Sequence, residues 1–298
     1  MTVVFCPYLA AMWCSMRSLY DEHVAAGDDV SVMPLPYCTK DYGGNLSPYM
    51  VDVFSVPTIP ADITALERSH PDRIYFHNPY DDHNRITMVN PSFFSNRLAA
   101  CTNDLVFVPY YTNAYTDGDD IETVIRSAAV RRSNHIVVWS EAQKERYSSI
   151  LCEYSREWAD RIVVKRRSIR QFEDVPKQWQ DVARGRRLVM LGTSLSTLMT
   201  GRQVALNRLF DAIRNNQNDN ICLVFRPHPL YMATIRAMMP ELGRSYRAIV
   251  NDFVENNRGI LDTTPDVERS VYYCREYIGN ASSIVALFRE QGKPVRIF

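Results

Sequence analysis

Short apolar runs alternate with stretches of helical spacing along the whole chain. TVVFCPY (2–8) reads as a strand. Across 10–27, Met12, Met16, Leu19 and Val24 fall on one helical face, and Gly27 supplies the stop. DVSVMPLPY (29–37), RIYFHN (73–78) and DLVFVPYY (104–111) are the next strands. A helix over 120–132, a strand over 135–140 and a helix over 141–155 complete this half. Strands that alternate with helices predict a parallel sheet covered by helices.

From Arg161 to Arg187 the pattern turns polar and charged, which places a boundary there and divides the chain into 1–165 and 166–298. The rhythm then restarts. Strands are expected at 186–194, 221–229, 276–280 and 294–298, with a short extended piece at 259–264. Helices are expected at 203–216, 231–253 (interrupted by Pro240), 266–274 and 282–292. Two successive α/β units of similar size predict two Rossmann-like domains whose parallel sheets face a central cleft.

Composition narrows the classes. The chain has 298 residues, 46% hydrophobic and 23% charged, which is ordinary for globular proteins. Thirty-four basic residues balance thirty-four acidic ones, so bulk charge does not point to nucleic acid. The basic stretch VVKRRSIR (163–170) reads as a solvated linker. Seven cysteines without paired spacing read as reduced thiols. The amino end has no basic leader, and no apolar run approaches the roughly 18 residues of a membrane span, so a cytoplasmic protein is expected.

In parallel α/β sheets ligands sit beyond the carboxyl ends of the strands. In the second half those ends are LGTS (191–194), RPHP (226–229), DTTPD (262–266) and GNASS (279–283), all polar. Arg226 carries a fork suited to phosphate, and His228 follows between two prolines. The alternative is a strand end whose histidine satisfies a nearby carbonyl. Asn280, Ser282 and Ser283 open a helix where free amides attract anions, and Thr193 and Ser194 follow a glycine turn. Simple helix capping explains either serine pattern alone, so the coincidence of the three carries the weight.

LVFRPHPL (223–230), the stretch 262–295, PYLAAMWCSMRSLY (7–20) and FHNPYDDHNRIT (76–87) together resemble the CDP-glycerol glycerophosphotransferase family, and more closely a bacterial branch of it. The resemblance covers most of the chain in order. It implies a GT-B fold and transfer of glycerol phosphate, or a related polyol phosphate, from a CDP-linked donor to a hydroxyl of a cell-surface polymer, as in teichoic acid and cell wall biogenesis. That chemistry requires no cofactor and no metal, no nucleic-acid partner is expected, and peripheral contact at the inner face of the membrane is left open. Arg226 and His228 would hold the donor phosphates with Ser282 and Ser283. Where the family has acids, this chain has Asn280 and Leu287, and it ends on a strand where GT-B chains continue into a helix.

On that reading His77, at a strand end, takes the proton of the acceptor hydroxyl as it attacks the donor's β-phosphorus, a role worth roughly 10²–10⁴ in rate. Asp81 or Asp82 would orient it. Two rivals remain for this stretch: a metal site of His77, Asp81, Asp82 and His83, and a plain turn in which an aspartate caps the next segment. For the whole chain the rivals are a GT-B glycosyltransferase using a nucleotide sugar and a degenerate member that only binds a nucleotide or a partner.

Overall fold

The computed structural model describes residues 1–110, 121–167 and 170–298. The end of the expected strand 104–111, the first residue of the expected helix 120–132 and part of the basic stretch 163–170 lie outside the described residues. The chain forms two compact units. One holds most described residues up to 167; the other holds those from 170 onward together with Asp41–Asn45.

The first unit contains β1 (Thr2–Cys6), β2 (Asp29–Val32), β3 (Tyr37–Thr39), β4 (Arg73–Phe76), β5 (Thr87–Val89), β6 (Leu105–Phe107), β7 (His135–Val138) and β8 (Ile162–Val164). Six of them make a parallel sheet in the order β2-β1-β4-β6-β7-β8, while β3 and β5 pair antiparallel. These strands are short, β-branched or aromatic, and mostly buried, as strands covered on both faces must be. Phe5 lies opposite Tyr75 in the register, and their rings stack with centroids 4.6 Å apart. Helix Cys14–Ala25 buries Met16 and Leu19 against this sheet. The expected helical face is shorter than its spacing suggested: Met12 sits in a preceding 3-10 turn and Val24 is exposed.

The second unit contains β9 (Arg187–Gly192), β10 (Ile221–Arg226), β11 (Gly259–Leu261), β12 (Glu276–Gly279) and β13 (Val295–Ile297). All are parallel, in the order β11-β10-β9-β12-β13. Its core packs Val189, Leu191, Leu223, Phe225 and Ile278 of the sheet against Leu206, Leu209 and Phe253 of the helices.

Several elements depart from their sequence pattern. The helix expected at 203–216 runs Leu195–Asn215, because Ser194 caps it, with a break at Arg202 where φ is 46°. The helix expected over 120–132 is two pieces, Ile121–Ile125 and Ala128–Arg132, since Ser127 turns extended and caps the second. The stretch 161–187 holds β8 and helix Lys177–Ala183. Pro240 divides the expected helix 231–253 into Tyr231–Met238 and Gly243–Glu255, joined by a 3-10 turn. Among the described residues, no helix is long and apolar enough to cross a membrane.

In each sheet the first strand has neighbours reached by connections running in opposite directions. β1 lies between β2 and β4, and β9 between β10 and β12. The loops leaving β1 and β4, and those leaving β9 and β12, therefore diverge and open a crevice at the carboxyl edge.

Candidate functional site

At the edge of the second sheet, four loops are tied to one another. The backbone N–H of His228 donates to Thr193 Oγ1 at 3.0 Å. The N–H of Ser194 donates to Asn280 Oδ1 at 3.2 Å, and the N–H of Asn280 returns to the Gly192 carbonyl at 3.2 Å. Gly279 has a φ of +155°, and a side chain there would collide with the Gly192 backbone, so glycine lets the ends of β9 and β12 approach. The buried Tyr277 donates its hydroxyl to the Asn280 carbonyl at 2.7 Å and lies 3.4 Å from Ser282 Oγ. This holds the turn that feeds helix Ser283–Glu290.

Two helix amino ends meet these loops. Ser194 caps Leu195–Asn215 by accepting the Thr197 N–H at 3.2 Å. Ser282 stands at the cap position of Ser283–Glu290 with an extended backbone, yet its hydroxyl makes no capping bond. Ser282 and Ser283 are half-buried. A cap position whose hydroxyl is not spent on the helix can turn it toward an anion.

His228 is half-buried, and its Nδ1 accepts the Leu230 N–H at 3.1 Å. A neutral imidazole that accepts at one nitrogen carries its proton on the other, so Nε2–H is the free donor. Burial, and then the neighbouring Arg226 cation, lower its pKa to about 4. At neutral pH the ring is an uncharged hydrogen-bond donor.

Arg226 is engaged by groups of the chain itself. Its side chain is 4% exposed. Nη1 donates to Asp262 Oδ2 at 2.5 Å, and Nη2 donates to the Thr264 carbonyl at 2.7 Å. Asp262 also accepts from the Thr264 N–H and hydroxyl and from the Ser270 hydroxyl. The guanidinium is thus turned inward, bracing the end of β10 against the loop after β11. Leu287 is buried in its helix.

At the edge of the first sheet, His77 follows β4 and is 0% exposed. Its Nε2 accepts the Tyr8 N–H at 3.1 Å, joining the loops that leave β1 and β4. Nδ1 then carries the proton, and it is buried without a hydrogen-bond partner. The rings of Tyr8 and Tyr110 stand edge-on to it, at 5.3 and 6.3 Å between centroids. Burial lowers the His77 pKa to about 3.

Asp81 does not orient this ring. Its carboxylate accepts the Ser95 N–H at 2.8 Å and the Ser95 hydroxyl at 2.7 Å, at the start of helix Ser95–Ala99. Asp82 and His83 are exposed and 3.5 Å apart, so the four groups of the metal alternative are split between core and surface. Among the described residues, no group of three or more His, Cys, Asp or Glu side chains is arranged to hold a metal ion.

Sequence reasoning missed Tyr8, Asp262, Thr264 and Tyr277 as site-shaping residues. DTTPD stood out as a polar strand end, but nothing local marks Asp262 as the partner of an arginine 36 residues away. Tyr8 and Tyr277 lie within the expected strands 2–8 and 276–280 with no site signal of their own, and they act through a backbone amide and a hydroxyl.

No protein-family model matches the sequence, and no curated protein matches it. Solved structures do match in fold. S. aureus MnaA in complex with UDP is 11% identical, with 100% of this chain and 79% of that one covered and a TM-score of 0.59. UDP-GlcNAc 2-epimerase from Neisseria meningitidis bound to UDP-GlcNAc is 10% identical, with 100% and 82% covered and a TM-score of 0.55. The wall teichoic acid polymerase TagF soaked with CDPG is 10% identical, with 100% and 69% covered and a TM-score of 0.53. The likeness establishes the expected fold, a GT-B-like α/β chain with two parallel sheets.

Proposed function

We propose that this chain is a transferase that binds the diphosphate of a nucleotide-linked donor at the β9/β12 edge. Its donor is CDP-glycerol or a related CDP-polyol, and its acceptor is a hydroxyl of a cell-surface polymer or glycan. The observation that carries the reading is the knot of loops around Thr193, His228, Asn280 and Ser282, which presents a neutral Nε2–H beside a helix start whose cap hydroxyl bonds Tyr277 and not the helix amides. Such preorganised donors suit charge that grows on a phosphate oxygen during transfer. The fold likeness to a polymerase soaked with CDPG adds support.

In the reaction, the acceptor oxygen bonds to the β-phosphorus, and the bond from that phosphorus to the bridging oxygen breaks. CMP leaves with the electron pair, and the hydroxyl proton passes to a base. Arg226 and Asp262 hold the strand end that presents His228, while Thr193, Ser194 and Asn280 hold the turns. For His77 to take the proton, acceptor binding has to release its Nε2 from Tyr8 and raise its pKa from about 3. The test is CMP release from CDP-glycerol by purified protein, with UDP-, GDP- and CMP-sugars as parallel arms. Turnover confined to a CDP-polyol supports the reading, and turnover confined to a nucleotide sugar overturns the donor assignment.

A second reading, a nucleotide binder without turnover, is favoured by the engaged lone pair of His77 and by the buried Asn280 and Leu287 where the resembling family has acids. Binding of CDP-glycerol with no CMP released, unchanged by His77→Ala, would establish it.

A further inference from the structure

A cavity of about 400 Å³ lies at the corner between helices Tyr231–Met238 and Gly243–Glu255. Met232, Ile235 and Pro240 form an apolar floor, and Arg236 and Arg247 stand at its rim. Asp41–Asn45, which packs as part of this same unit, adds Tyr42, whose side chain is 71% exposed. The volume falls in the range of small-molecule sites.

The charges at this corner are unbalanced. Glu241, next to the lining residue Pro240, is engaged by Arg202. Asp41 folds back on its own turn, accepting the Asn45 N–H and side-chain amide, each at 2.9 Å. Neither Arg236 nor Arg247 has a hydrogen-bond or ion-pair partner among the described residues. The Arg247 fork lies over Gly243, whose missing side chain leaves room for it: a Cβ there would meet Nη1 at 3.4 Å. Two unpaired guanidinium forks beside an apolar floor and an unspent aromatic ring suit a planar or apolar body that carries a phosphate.

We propose that this corner binds a phosphate ester of an aromatic or apolar group, with Arg236 and Arg247 on the phosphate and Tyr42, Met232 and Ile235 against the body. The inference does not rest on the donor reading, because the two sites share no residue.

The test uses 4-nitrophenyl phosphate, inorganic phosphate and 4-nitrophenol as probes, titrated by calorimetry into the full chain. The proposal expects the aryl phosphate to bind more tightly than either fragment. It expects the Arg236→Ala/Arg247→Ala double variant to weaken it by roughly tenfold or more. Both side chains are exposed, so the double variant keeps its fold, checked by circular dichroism. Tyr42→Ala should weaken the aryl phosphate and leave inorganic phosphate unchanged. No aryl phosphate binding, or binding that survives the double arginine variant, overturns the proposal.

Discussion

The two strand edges of this chain share a topology and differ in what fills them. At both, a histidine lies just past the end of a strand beside the first one, one residue after β4 for His77 and two after β10 for His228, and accepts a backbone N–H from a loop. His228 accepts through Nδ1, so its remaining proton sits on Nε2 of a half-buried ring. His77 accepts through Nε2, so its remaining proton sits on a nitrogen sealed in aromatic packing. Two hydrogen bonds of the same kind, made at different ring atoms, separate a histidine ready to meet an anion from one that braces two loops. A histidine at a strand end is therefore not yet a role; the nitrogen that the backbone takes decides what the other one can do.

On the proposed reading the β9/β12 edge binds the donor, and the Arg226–Asp262 pair behind it carries its stability. Arg226→Met tests this most severely. It leaves the Asp262 carboxylate buried without its cation, and the loss should be about 3–5 kcal/mol by urea unfolding. A loss within about 1 kcal/mol would show that the ion pair is not the brace.

At the other edge, His77→Ala removes a buried ring and orphans the Tyr8 amide, and should cost about 2–4 kcal/mol. His228→Ala should cost less than about 1 kcal/mol, because that ring is half-buried. Thermal unfolding of the two variants side by side checks the contrast, and equal losses would erase it.

Acid should act on both rings in one direction. Each is held neutral in the fold, with its pKa lowered from 6.5 to about 3 for His77 and to about 4 for His228. The unfolded chain takes up these protons below about pH 6.5, so stability falls as pH drops from there toward 4. Melting temperature measured over pH 4–7 should show that slope, flattened in His77→Asn. The smallest effect is expected from Ser282→Ala, which should weaken CDP-glycerol binding by roughly threefold and leave the melting temperature unchanged.

Much of the site was legible in the sequence because parallel α/β chains place their polar residues at strand ends. The loops of Thr193, His228 and Asn280 were all found that way, and they meet through hydrogen bonds in the structure. What local pattern could not supply was pairing across distance. Arg226 looked free because Asp262 lies 36 residues away. Asp81 looked like a partner of His77 because it is near in sequence, and it bonds Ser95 instead. In the fold, β8 is three residues long and runs into Lys165, Arg166 and Arg167, so charge hid it. The β3/β5 hairpin was missed because its strands, three residues each, lie 47 residues apart and show no alternation long enough to read.

The most direct measurement is calorimetric titration of CDP-glycerol into wild-type protein and His228→Ala. The account predicts saturable one-to-one binding that weakens by about tenfold when the Nε2–H is lost, while the variant melts within about 2 °C of wild type. Equal affinity in the two proteins, or no binding to the wild type, would contradict it.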